Sequence, residues 1–112
     1  MARLKLVQES AKIFASLEFE NISHHDLHVC TRMWFTNLDI LAGEEKIAYA
    51  GPSASLKSPQ KKDFKTIKHG EKFETERIEL DTYYKVPFKK GLKLQVKYKF
   101  LNLDLEQSMK IE

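Results

Sequence analysis

His24, His25, Asp26 and His28 fall within five positions, and imidazole and carboxylate side chains are good zinc or copper ligands. The spacing works against them. Adjacent residues in an extended chain point to opposite sides, so His24 and His25 do not converge on one ion unless a turn brings them round. The preceding Asn21-Ile22-Ser23 is rich in turn formers. We therefore expect a solvated hairpin loop and no bound metal, with His24, His25 and His28 as the metal candidates set against that reading. Nucleophilic catalysis needs a serine or cysteine with a base in reach. Cys30 sits beside Val29 in an apolar strand-like run, where an inert buried thiol is the usual case. Glu74, Glu76 and Glu79 read as the solvated face of a strand, and no phosphate-binding glycine loop is present. These observations predict no catalytic residue, no cofactor and no enzyme.

Composition narrows the function further. The 112 residues suffice for one domain with a two-layer core. Nineteen basic and 16 acidic residues give a net charge of +3 with both signs interspersed. The only basic runs are the pairs Lys61-Lys62 and Lys89-Lys90, so nucleic acid is not an expected partner. No stretch approaches the ~20 apolar residues of a membrane helix, and residues 1–9 hold no signal-like apolar core, so no membrane partner is expected. The single cysteine makes an internal disulfide impossible and suits a reducing compartment. The expectation is cytoplasmic, with export after loss of a leader as the alternative.

The elements that must position any site are strands. From Leu92 to Phe100 apolar and polar residues alternate without a break, the period of a half-buried strand. Residues 3–9 alternate weakly around Leu4 and Leu6, and 12–20 place Ile13, Ala15, Leu17 and Phe19 on one face. A third strand is expected over 27–35, lying centrally because Val29, Met33 and Phe35 on one face oppose Cys30 and Trp34 on the other. Residues 36–46 read as a loose connection, 47–49 as a short strand and 64–67 as another. Residues 72–80 form a strand with a bulge between Phe73 and Ile78, whose parities differ. Residues 81–90 read as a crossing between sheets, and the parity change after Phe100 predicts a bend and a final strand carrying Leu101, Leu103 and Leu105. Turn signals every 8–12 residues predict an all-β antiparallel sandwich of seven to eight strands, one domain over 1–112.

Residues 51–62 form the longest polar stretch, with Pro52 and Pro59 near its ends and Lys57, Lys61 and Lys62 within it. A surface loop of this length invites a role. The aromatics Trp34, Tyr49 and Phe88 are expected in the core. Tyr83 and Tyr84 are neighbours in an extended segment and cannot both face inward. One is expected to hydrogen-bond at a corner, the other to be available for contact.

From Tyr49 onward the order Tyr49-x-Gly51, Lys57, Pro59, Asp63-Phe64, Gly70-Glu71, Leu80, Tyr83, Gly91, Tyr98 resembles the immunoglobulin-like N-terminal domain of deuterolysin-type (M35) peptidyl-Lys metalloendopeptidases. Asn21, after the strand ending at Phe19-Glu20, matches an asparagine that ends an early strand there. The resemblance covers about two-thirds of the chain. It implies a pro-region or accessory module, here without its protease, since His-Glu-x-x-His is absent. The basic pair of that family falls on Ser55-Leu56, with Lys57 just after and Lys61 and Lys62 as substitutes in the same loop. The expected function is non-catalytic protein binding, as a protease inhibitor or immunity-type protein acting through 51–62. The expected contact residues are Tyr49, Gly51, Lys57, Pro59, Lys61, Lys62 and Tyr84. A metalloprotease is the most concrete partner. The alternative is an assembly module that pairs through a sheet edge, a homodimer included.

Overall fold

Alternation translates directly into burial in the two best strands. In the computed structural model, which describes residues 1–33, 37–51, 60–100 and 102–112, β1 (Ala2–Glu9) and β2 (Lys12–Glu20) form a hairpin joined by Ser10-Ala11. Ile13, Ala15, Leu17 and Phe19 of β2 are all buried. Late in the chain, β9 (Lys93–Phe100) buries Leu94, Val96 and Tyr98 completely and turns Lys93, Lys97 and Lys99 outward. Each such aliphatic side chain contributes roughly 1.5–3 kcal/mol of burial. The reversed parity beyond Phe100 is a tight hairpin: Phe100 lies opposite Leu103, where β10 (Leu103–Lys110) begins. Leu101 lies outside the described residues.

Two expectations are corrected. The third strand is short: β3 (Leu27–Cys30) pairs with β6 (Phe64–Ile67) in a separate two-stranded sheet and is not central. Val29 and Cys30 are nevertheless both buried; Trp34 and Phe35 lie outside the described residues. The supposed loose connection holds β4 (Leu38–Ala42), an interior strand between β9 and β5 (Glu45–Ile47). Its period of two, with Leu38, Ile40 and Ala42 buried, is masked in the sequence by flanking turn formers and by Asp39. Gly43, at φ 64°, serves the two-residue turn into β5. The segment 81–90 crosses, as expected, from the sheet of β2 to that of β9, and it begins with one turn of helix, α1 (Leu80–Tyr83), too short to show any periodicity.

The bulge in 72–80 is present. Phe73 of β7 (Lys72–Glu74) faces Phe19 and Ile78 of β8 (Ile78–Glu79) faces Ala15. The two strands thus span five residues against four on β2. Thr75 fills the gap: its N–H donates to the Leu17 carbonyl at 2.9 Å, and its Oγ1 accepts from the Leu17 N–H at 2.9 Å.

Among the described residues ten strands make three antiparallel sheets: β1-β2-β7 with β8 also on β2, β10-β9-β4-β5, and β3-β6. The ten exceed the expected seven to eight because β4 adds one and the bulge divides another. The fold is all-β. One core draws on all three sheets, through Leu4 and Leu17, Ile40 and Val96, Val29 and Ile67. β1 and β10 run side by side in the same direction. The Gln8 side chain closes this seam, donating to the Glu112 carbonyl at 2.8 Å and accepting from the Glu112 N–H at 2.9 Å.

Candidate functional site

Gly51, where the segment 51–62 begins, sits at a tyrosine cluster. Tyr49 forms a bridge with Tyr84, and the Ala50 N–H donates to the Tyr83 carbonyl at 2.7 Å. The Tyr49 ring lies parallel to that of Tyr83 at 6.4 Å and edge-on to that of Tyr84 at 5.5 Å. Gly51 is fitted against these rings. A Cβ there would sit 2.8 Å from Tyr49 Oη and 3.0 Å from Tyr83 Cδ1, so no side chain is accommodated without moving the stack.

Tyr84 is the inward member of the tyrosine pair. It is 2% exposed, and its hydroxyl donates to the Leu38 carbonyl at 3.2 Å. Burial pushes its phenol up to about 12, because the charged form would lose its water. This corrects its place among the contact residues: it holds the corner, while Tyr83 and Tyr49 are half-buried beside it. Phe88, expected in the core, is 40% exposed.

The segment returns on a 3-10 turn, Lys61–Asp63. The Gln60 N–H donates to the Asp63 carboxylate at 2.8 Å, and the Asp63 N–H donates back to the Gln60 carbonyl at 2.8 Å. The Asp63 carbonyl then takes both the Thr31 N–H, at 2.8 Å, and the Thr31 hydroxyl, at 3.1 Å. Arg32 lies 3.7 Å from the same carboxylate. Lys61 and Lys62 stand exposed on this turn. The structure thus collects Tyr49, Gly51 and Tyr84 at the outgoing end and Lys61 and Lys62 at the returning end. Lys57 and Pro59 lie outside the described residues.

The histidines do not converge. His24 stacks on His69, with centroids 5.1 Å apart, while His69 Nδ1 donates to the Ser23 carbonyl at 2.6 Å. His28 is on β3, its Nδ1 paired with Thr66 Oγ1 at 2.9 Å. Among the described residues no three His, Cys, Asp or Glu side chains are placed to hold a metal ion. The loop is organised by Asn21, which sequence reasoning took for a turn former and a position of the family resemblance, not for a tie between elements. Its Nδ2 donates to the carbonyls of His25, at 2.8 Å, and Ile67, at 2.9 Å; its Oδ1 accepts from the Ser23 N–H and hydroxyl.

An apolar cleft of about 280 Å³ opens between β3, β6 and the β9–β10 turn, lined by Phe19, Leu27, Cys30, Phe64, Phe100 and Leu103 among others. Its residues come from six strands, so no sequence signal could assemble it. Cys30 is buried and free, and His28 lines the same cleft, yet no hydrogen bond joins thiol to imidazole. The glutamate face is a solvated charge ladder. Lys5 bridges Glu18, at 3.5 Å, and Glu74, at 3.1 Å, beside the Arg3–Glu18 pair. The Arg3 hydrogen bond lowers the Glu18 carboxyl from its ordinary value, and bonds from Lys5 and Ser16 do the same to Glu74.

Comparison with protein-family models and with curated proteins finds no match to this chain. Among the described residues no helix is long and apolar enough to cross a membrane. Several residues that carry the metalloendopeptidase resemblance have structural work here. Leu80 and Tyr98 are core, Gly70 takes φ 83° in a turn, and Asp63 caps the 3-10 turn.

Proposed function

We propose that this chain is a non-catalytic, immunoglobulin-like binding domain that presents residues 51–62 to a protein partner. The observation that carries the reading is that both ends of the segment are fixed. Ala50 is hydrogen-bonded to Tyr83 with Gly51 packed close to the Tyr49–Tyr83 stack, and the Gln60–Asp63 turn is tied to Thr31. A loop with fixed ends loses less entropy on docking than one hung from mobile ends. Side-by-side β1 and β10, and antiparallel sheets around one core, support the immunoglobulin-like assignment. The lysine content of the loop and the resemblance together select a Lys-directed metalloprotease as the partner, with Lys57, Lys61 or Lys62 offered to its specificity pocket. The free, buried Cys30 fits a reducing, cytoplasmic setting.

Edge pairing, the alternative, has less behind it. Of the edge strands of the two larger sheets, β5 and β7 are three residues long and carry lysine and glutamate, the usual way an edge is blunted, while the longer edges β1 and β10 lie against each other. Leu103 and Leu105 are partly buried against the core. The test is a titration of a peptidyl-Lys metalloendopeptidase with the wild-type chain and with Lys57→Ala and Lys61→Ala. Inhibition by the wild type, weakened at least tenfold by one of the substitutions, is the expected result. A wild type that leaves the protease fully active removes this partner class, and equal inhibition by both variants removes the loop from the contact.

A further inference from the structure

Many of the cationic side chains on this molecule are paired: Arg3, Lys5, Lys12, Lys46, Lys72 and Arg77 each face a carboxylate. Lys89, Lys90, Lys93 and Lys110 are among the described lysines that are not, and they are the ones gathered at one end of the fold. All four are exposed, and none is ion-paired with a described carboxylate. The fold brings them together. Lys93 and Lys110 are directly opposite each other in the β9–β10 pair. The Leu92 N–H donates to the Lys89 carbonyl at 3.0 Å, closing a turn with Gly91 at φ 85°. The Gly91 N–H then donates to the Ile111 carbonyl at 2.7 Å, which seats that turn beside Lys110. A Cβ at Gly91 would meet nothing within 4 Å, so the turn stands clear in solvent. Phe88, 40% exposed, leads into it.

Like charges directly opposite one another destabilise an antiparallel pair. Here such a pair is kept without a neutralising carboxylate, next to an exposed aromatic ring. We propose that this end of the molecule is a second docking face, and that its partner is a short acidic segment of a protein. Phe88 is the apolar anchor and the four lysines form the charged rim, the usual division of a protein interface. The partner is short because the field is local. The net charge is only +3, and Glu44 and Glu112 flank the patch: Gly43, before Glu44, donates to the Lys93 carbonyl at 2.8 Å, and Glu112 follows Ile111. An extended polyanion would meet those carboxylates; a compact acidic segment would not. The cations are all lysines, point charges without the planar fork that selects phosphate and base edges. This face does not depend on the 51–62 reading. It lies at the far end of the eight-residue β9 and β10, about 24 Å from the Phe100–Leu103 turn beside Phe64 and Cys30.

The probe is a fluorescent ten-residue peptide of glutamate and aspartate with two leucines, followed by anisotropy with the full chain. Binding is expected, weakening with added salt. The quadruple Lys→Gln variant at 89, 90, 93 and 110 should bind at least tenfold more weakly and Phe88→Ala about threefold more weakly. Lys61→Gln/Lys62→Gln should bind as the wild type does, which separates this face from the loop. Lys93→Gln alone should raise the melting temperature by relieving Lys110. Absence of binding, an unaffected quadruple variant, or tighter binding of phosphatidylserine vesicles or a thymidine oligonucleotide than of the peptide would overturn the proposal. So would a Lys93→Gln variant that melts below wild type, because the pair would then be structural.

Discussion

Asn21 shows how much one polar side chain holds. It is fully buried, and its amide group makes four hydrogen bonds. Its backbone makes two more, accepting from the Gly70 N–H and donating to the Glu71 carbonyl. It thereby ties the 21–26 loop to β6 and to the 68–71 turn. Asn21→Ala strands several buried donors and acceptors at once, and each costs roughly 1–3 kcal/mol when left unmade. We expect a loss of about 2–4 kcal/mol, read from the urea midpoint at constant slope. A change below about 0.5 kcal/mol would mean that water replaces the amide without cost. In the sequence Asn21 was visible as a turn residue and as part of the family resemblance. Its carbonyl partner Ile67 is 46 positions away, so its role as a tie was not visible.

At the scale of elements, the break between β7 and β8 keeps one strand on the core while its phase changes. Thr75 makes this possible by substituting a hydroxyl for a backbone carbonyl opposite Leu17. Thr75→Val keeps the shape and removes the acceptor, leaving the buried Leu17 N–H unpaired. The expected destabilisation is about 1–3 kcal/mol, with faster hydrogen exchange at the Leu17 amide as the local signature; unchanged exchange there would place the acceptor elsewhere. The bulge itself was legible from the parity of Phe73 and Ile78. β4 was not, because a five-residue strand with an outward aspartate next to turn formers looks like a connection until Lys97 is seen opposite that aspartate.

For the whole molecule, pH reports on the charges that folding has moved. The Tyr84 phenol rises from 10.0 to about 12 on folding. Its contribution is therefore complete below pH 10 and is lost as pH climbs through the folded value. Thermal melts should show stability falling across that alkaline window, with a shallower fall in Tyr84→Phe; parallel curves would contradict the burial argument. Glu18 and Glu74 act in the opposite sense. Their carboxyls are lowered from 4.5, so their stabilisation is present above that value and fades as the solution is acidified. Both lie on a solvated face, and the acid effect should be small beside the alkaline one.

Which side of each main strand is wet was determined by the order of residues alone, because alternate side chains leave an extended backbone on opposite faces whatever surrounds it. Hence β2, β9 and the bulge were readable, and so was the all-β class. Neighbours were decided only by the tertiary structure. It chose Tyr84 over Tyr83 for the interior, set Gly51 under two rings, stacked His24 on the distant His69 and placed Lys93 against Lys110 at the end of a hairpin. Each of these depends on residues distant in the chain meeting in space, and such encounters are settled by the packing of one shared core, which no local pattern encodes.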